Sequence, residues 1–223
     1  MILWFAPNTC ARVALTALEE IGEPFETRLI AFMAGEHRKP EFLAVNPSGK
    51  VPALETPEGT LTQNGAILSY LHERHGAAGL LPVAEGGYAR ARQLAELFRF
   101  SADLHPLVTR FVMPQMISTD VQDAPRIREA AAEALRFQLR PIAERLDQQP
   151  WLLGESWSIL DAYGAWIWFR ITGSGFPEEP WPALGDHFRR AMARPSAQAA
   201  IAREARAEEE LDRRGLLFHP PFH

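Results

Sequence analysis

Along the first third of the chain, apolar and polar positions follow two different periods in turn. Residues 2–5 are a short apolar run, Ile2-Leu3-Trp4-Phe5, ended by Ala6-Pro7-Asn8, the pattern of a buried strand entering a turn. From Ala11 onward Val13, Ala14, Leu15, Ala17, Leu18 and Ile21 recur at helical spacing, and Gly22 predicts where that helix stops. Phe25, Thr27 and Leu29 then alternate with charged neighbours, as in a half-buried strand. Residues 40–45 predict a short helical stretch. Residues 53–55 and 60–62 predict a hairpin about Pro57-Glu58-Gly59, and residues 64–74 a helix that closes the unit.

The pattern changes after residue 76. Residues 77–87 are rich in Gly and Pro and lack periodicity, which predicts a linker between a first domain, 1–76, and a second, 88–223. The second reads as helical throughout, over residues 88–111, 125–148, 159–171, 183–193 and 195–207. Pro141 predicts a kink or a break in the second of these helices, because it lacks a donor and crowds the preceding turn. Ser158 and Asp161 form an S-x-x-D capping box at the start of the third. The charge-rich run 202–212 predicts a solvated helix end, and the apolar, proline-broken tail 216–222 is placed across the surface or a cleft.

Composition narrows the chemistry. The 223 residues suffice for two modest domains, and 23 basic against 28 acidic side chains, scattered along the chain, give a net charge of −5 that argues against a nucleic-acid partner. One cysteine cannot form an internal disulfide or a cysteine-based metal cluster, and the seven histidines lack helical metal-ligand spacing, so no metal is expected. No apolar run approaches the roughly 20 residues a membrane span needs, and the N-terminus lacks a basic leader, which together predict a cytoplasmic protein without membrane association.

Two segments carry the densest chemical signal. Val45-Asn46-Pro47-Ser48-Gly49-Lys50-Val51-Pro52-Ala53-Leu54 is a Pro/Gly turn that runs through a lysine into a strand, and Gln63-Asn64 opens a helix with polar donors. Lys50 beside turn backbone can hold one carboxylate. The Gln63-Asn64 pair, with the unpaired N–H groups of a helix start, can hold another, so a small ligand with a carboxylate at each end would fit. This order and spacing resembles the thioredoxin-like half of cytosolic glutathione transferases, and the helix-start motif G-x-x-x-S-x-x-D at Gly154, Ser158 and Asp161 extends the resemblance to about residue 200.

The resemblance implies an α/β thioredoxin-like domain followed by an all-α helical domain, the glutathione transferase fold, acting as a homodimer with glutathione as co-substrate and a small hydrophobic electrophile. It also implies that Lys50 takes the glycine carboxylate, that Val51, before a cis Pro52, pairs by backbone with the cysteinyl residue, and that Gln63 and Asn64 bind the γ-glutamyl end. His37, in Gly35-Glu36-His37, is similar to a theta-class segment facing the glycine end.

Cys10 stands at a strand-to-helix turn, where the helix dipole and exposed N–H groups favour a thiolate and Arg12 is positioned to add positive charge. F-x-P-x-x-C after the first strand resembles the bacterial beta class, as does Asp103-Leu104-His105, whose histidine would polarise the thiol or the substrate. Phe5 replaces that class's tyrosine and Ala11 its usual serine. Thr9 and Asn8 are alternatives for holding the sulfur, and turn or capping duty is the other reading of both. Three functions follow from the resemblance: conjugation of glutathione to an electrophile, thiol-disulfide reduction through Cys10, or a transferase-like binding module without turnover.

Overall fold

The computed structural model describes residues 1–218. In chain order the elements are β1 (Ile2–Phe5), α1 (Ala11–Ile21), β2 (Glu26–Leu29), α2 (Pro40–Leu43), β3 (Ala53–Thr56), β4 (Gly59–Thr62), α3 (Asn64–Arg74), α4 (Gly86–Phe98), α5 (His105–Val112), α6 (Ala124–Leu146), α7 (Ile159–Thr172), α8 (Pro182–Met192) and α9 (Pro195–Arg213). They form two compact units, residues 1–78 together with the chain from Pro195, and residues 79–194.

The first unit is built on a four-stranded sheet in the order β2-β1-β3-β4. β1 and β2 run parallel with Leu3 opposite Thr27, while β3 is antiparallel to both β1 and β4, with Leu54 opposite Leu3 and Leu61. Every residue of α1 from Ala11 to Leu18 is buried. Such complete burial requires cover beyond the sheet, and α3 and α9 supply it by packing on α1. The buried positions of α9 are Ser196, Ala197, Ala200, Glu204, Ala207 and Leu211, a stripe at helical spacing whose small side chains permit close approach. The sequence reading placed all of 88–223 in one helical domain and ended this helix at 207 in a solvated charge run. Instead α9 extends to Arg213, packs with the first unit and buries Glu204.

In the second unit α7 is buried on nearly all sides and α5 and α8 pack against it. Asp161, wholly buried, anchors the start of α7. Its carboxylate accepts the Ser158 N–H at 2.7 Å, the Ser158 hydroxyl at 2.9 Å and the Leu152 N–H at 2.8 Å, with His187 Nε2 also at 2.8 Å. The expected linker is not loose: Leu80 and Leu81 are buried, and the Leu80 carbonyl accepts the Ile159 N–H at 2.8 Å.

The helix expected over 88–111 is interrupted by a π-helical stretch, Arg99–Leu104, in which the His105 N–H reaches the Phe100 carbonyl. Pro106 has no N–H to return to Ala102, and the wider turn absorbs that loss. Pro141, by contrast, does not split α6. The carbonyl it leaves unmatched belongs to Phe137, an exposed residue, where water can serve. Of the tail expected over 216–222, residues 219–222 lie outside the described residues, and Phe218 is exposed.

Candidate active site

The turn between β1 and α1 is made by Thr9 and Asn8. The Thr9 hydroxyl donates to the Ala6 carbonyl at 2.7 Å and accepts the Ala11 N–H at 3.3 Å. That is the turn-and-cap duty weighed for this residue from the sequence, and in this arrangement its proton is committed to backbone. Asn8 has φ 61°, a left-handed conformation that asparagine tolerates better than most residues. Cys10 follows at the N-cap of α1, half-buried, with Sγ 3.6 Å from the Val51 carbonyl. Only the protonated thiol can donate to that oxygen.

One sequence expectation about Cys10 changes here. The N–H groups of Ala11, Arg12 and Val13 are already paired, with Thr9 Oγ1, the Thr9 carbonyl and the Cys10 carbonyl, so the helix dipole rather than unpaired N–H groups faces the thiol. Arg12 has a carboxylate partner. It is buried against Glu204, donating from Nε at 2.8 Å and from a terminal nitrogen to the same carboxylate oxygen, with that nitrogen 3.0 Å from Asn8 Oδ1. Burial pushes the Glu204 carboxyl above its ordinary range, opposed by the Arg12 guanidinium and the Asn8 N–H.

The second wall is the Lys50–Pro52 turn. Asn46, almost fully buried, organises it: Nδ2 donates to the Lys50 carbonyl at 2.5 Å, and Oδ1 accepts the Ser48 N–H at 3.1 Å and hydroxyl at 2.8 Å. The Lys50 side chain is exposed, Val51 and Pro52 are buried, and the Val51-Pro52 bond is cis as expected. Gly49, at φ 62°, lies so close to the neighbouring loop that a Cβ there would sit 3.0 Å from the His37 carbonyl. His37 stacks on Phe32 with ring centroids 4.0 Å apart. Burial lowers its pKa from 6.5, against an opposing bond to the Phe32 backbone and with a smaller contribution from Arg38.

The third wall is the start of α3. Gln63 precedes the helix at φ 70°, ψ 125°, a sparsely populated conformation for a residue with a side chain, and that side chain is exposed. Asn64 is 5% exposed; its Nδ2 donates to the Cys10 carbonyl at 2.9 Å, while Oδ1 is buried without a hydrogen-bond partner among the described residues. The starts of α1 and α3 are thereby tied together. Cys10, Val51 and Asn64 are brought into direct contact, with Lys50 and Gln63 next to them in the chain. His105 belongs to the second unit, where Nδ1 is 2.9 Å from the Tyr163 hydroxyl and the ring meets Trp166 edge-on at 4.7 Å.

Residues 1–73 match the family model described as the glutathione S-transferase N-terminal domain, and residues 104–195 match that of the C-terminal domain. The chain is 30% identical over 213 residues to glutathione S-transferase GST-4.5 of Xanthomonas campestris, covering 92% of this chain and 98% of that protein. It belongs to the glutathione S-transferase family. A sphingomonad glutathione S-transferase solved in complex with glutathione is 31% identical, with a TM-score of 0.80 over 92% of this chain and 99% of that one. The beta-class glutathione S-transferase of Sphingomonas chungbukensis is 29% identical, with a TM-score of 0.79 over 92% and 98%.

Within this transferase, two residues escaped sequence reasoning. Asn46 carried a signal as an Asx-type residue opening a Pro/Gly turn. Glu204 carried another, as a lone carboxylate inside the stripe Ala197, Ala200, Ala207 and Leu211. Among the described residues no group of three or more His, Cys, Asp or Glu side chains could hold a metal, and no helix is long and apolar enough to cross a membrane.

Proposed function

We propose that this transferase binds glutathione on its first unit and conjugates the glutathione thiol to a small hydrophobic electrophile, as a beta-class enzyme. The observation that carries the reading is the joint at Asn64, a nearly buried amide that ties the start of α3 to the Cys10 carbonyl and sets the strained, exposed Gln63 next to it. Lys50 then pairs with the glycine carboxylate, His37 stands beside that end, Val51 offers backbone to the cysteinyl residue, and Gln63 reads the γ-glutamyl head. Cys10 orients the glutathione sulfur, or Thr9 does so once its hydroxyl leaves the Ala6 carbonyl. Across a panel of an aromatic halide, an epoxide, a disulfide and dehydroascorbate, retention on immobilised glutathione with turnover of the halide or the epoxide supports this reading, and turnover confined to the disulfide or dehydroascorbate supports the reductive reading below. Retention with no turnover of any member supports the binding-module alternative instead.

The half-buried thiol at the start of α1 favours a second reading within the same family. As a thiolate, Cys10 attacks the glutathionyl sulfur of a mixed disulfide, the substrate leaves as its thiolate, and a second glutathione thiolate attacks the resulting Cys10 disulfide. Oxidised glutathione leaves and Cys10 is regenerated. Cys10→Ala separates the two. It abolishes reduction, since no other thiol is present in the chain, and leaves part of any conjugation that Thr9 supports.

We also propose a cytoplasmic homodimer. Tyr88 and Phe98 on α4 and Phe137 on α6 are large apolar side chains at least half exposed in the single chain, which supports burial against a second copy.

A further inference from the structure

Glu204 is a buried carboxylate in a stripe of alanines, and neither conjugation nor reduction uses it. Its two oxygens are divided between two tasks. Oε1 accepts the backbone N–H of Asn8 at 3.2 Å, and Oε2 accepts from Arg12. One turn further along α9, Glu208 accepts the Asn8 side-chain amide at 2.6 Å, and Arg12 returns to Asn8 Oδ1. Asn8, in its left-handed conformation two residues before Cys10, is thus gripped at its backbone, its amide nitrogen and its amide oxygen by charged groups of α1 and α9.

We propose that Glu204, paired with Arg12, is a positioning residue that fixes the Asn8 turn and through it the placement of Cys10, so that α9 acts as a backing plate for the thiol site. The chemistry fits this role better than stability alone. A helix packed by alanines gains little from a buried ion pair that an apolar pair could replace, whereas a backbone N–H in a left-handed turn needs an acceptor that no apolar residue supplies. A left-handed asparagine gripped at three atoms has few alternative conformations. Thr9 and Cys10 follow it directly, and the Cys10 carbonyl is itself held by Asn64. The inference deepens the proposed transferase function, but the geometry of the turn can be tested without glutathione.

The test uses the full-length protein. Native-state hydrogen exchange reads the Asn8 amide in the wild type, where protection comparable to that of the interior of α1 is expected; exchange at the rate of an open loop overturns the proposal. Two double variants follow. R12M/E204M removes both charges together and leaves Asn8 N–H without its acceptor, whereas R12Q/E204Q retains an amide oxygen for it. With folding verified by circular dichroism, the methionine pair is expected to shift the pH midpoint of Cys10 alkylation by roughly half a unit or more and to lower kcat for conjugation about tenfold. The glutamine pair is expected to rescue most of both effects. A folded methionine pair with the wild-type alkylation profile and kcat, or a glutamine pair as impaired as the methionine pair, overturns the proposal. Should the methionine pair not fold, the Asn8 exchange rate and the glutamine pair's alkylation profile decide. Failure of wild-type protein to bind glutathione would remove the function reading and leave the alkylation and exchange results standing as tests of the turn.

Discussion

Lys50 and His37 flank the same turn with unequal means of holding a carboxylate. Lys50 is exposed and carries a full charge, while burial against Phe32 keeps His37 neutral more readily than an ordinary imidazole. Lys50→Ala is therefore expected to weaken glutathione binding by about 1–3 kcal/mol, the range for a hydrogen bond to a charged group. His37→Asn should have a smaller effect at pH 7, and calorimetry on both variants compares them. The lowered pKa also has a stability consequence. In the folded state His37 binds its proton less readily than in the unfolded chain, so its contribution is intact above 6.5 and declines as pH falls from 6.5 toward the lowered folded value. Urea unfolding across that window should show a steeper acid loss in the wild type than in His37→Asn, and equal slopes would contradict this account. The site was partly legible residue by residue: Lys50, Val51, Pro52 and Asn64 lie where turn chemistry and helix-start chemistry placed them. The partner of Arg12 was not, because a sequence does not say which distant carboxylate a long cation will meet. The distance in sequence between Arg12 and Glu204 hides a direct ion pair.

At the scale of elements, α1 and α3 begin and end where apolar periodicity, Gly22 and the Gln63-Asn64 start placed them. What escaped was tertiary. A charge run that carries Ala207 and Leu211 at helical spacing is ambiguous between a solvated face and a packed stripe, and only the presence of α1 decides for α9. The π-helical stretch before His105 follows from Pro106, yet helical periodicity over 88–111 does not reveal it. The capping box of α7 carries the clearest element-level prediction. The Asp161 carboxylate satisfies the N–H groups of Leu152 and Ser158 as well as the Ser158 hydroxyl and His187, so Asp161→Ala leaves several buried polar groups unmatched. A loss of about 3 kcal/mol or more in unfolding free energy is expected by denaturant titration, since each buried polar group left unmatched costs about 1–3 kcal/mol. A loss below about 1 kcal/mol, the size of an ordinary neutral bond, would contradict the central place given to this residue.

For the whole molecule, family membership rests on both domain models and on relatives that align over nearly the full chain. The proposed homodimer predicts a mass of twice 25.0 kDa by light scattering, and a monomer at micromolar concentration would contradict it. The central claim is that the starts of α1 and α3, with the Lys50–Pro52 turn, form a glutathione site. Titration of glutathione into the wild-type protein, Lys50→Ala and Gln63→Ala by calorimetry tests it most directly. One saturable site per chain is expected in the wild type, with weaker binding in each variant. Binding of equal strength in all three proteins, or no binding to the wild type, would contradict it.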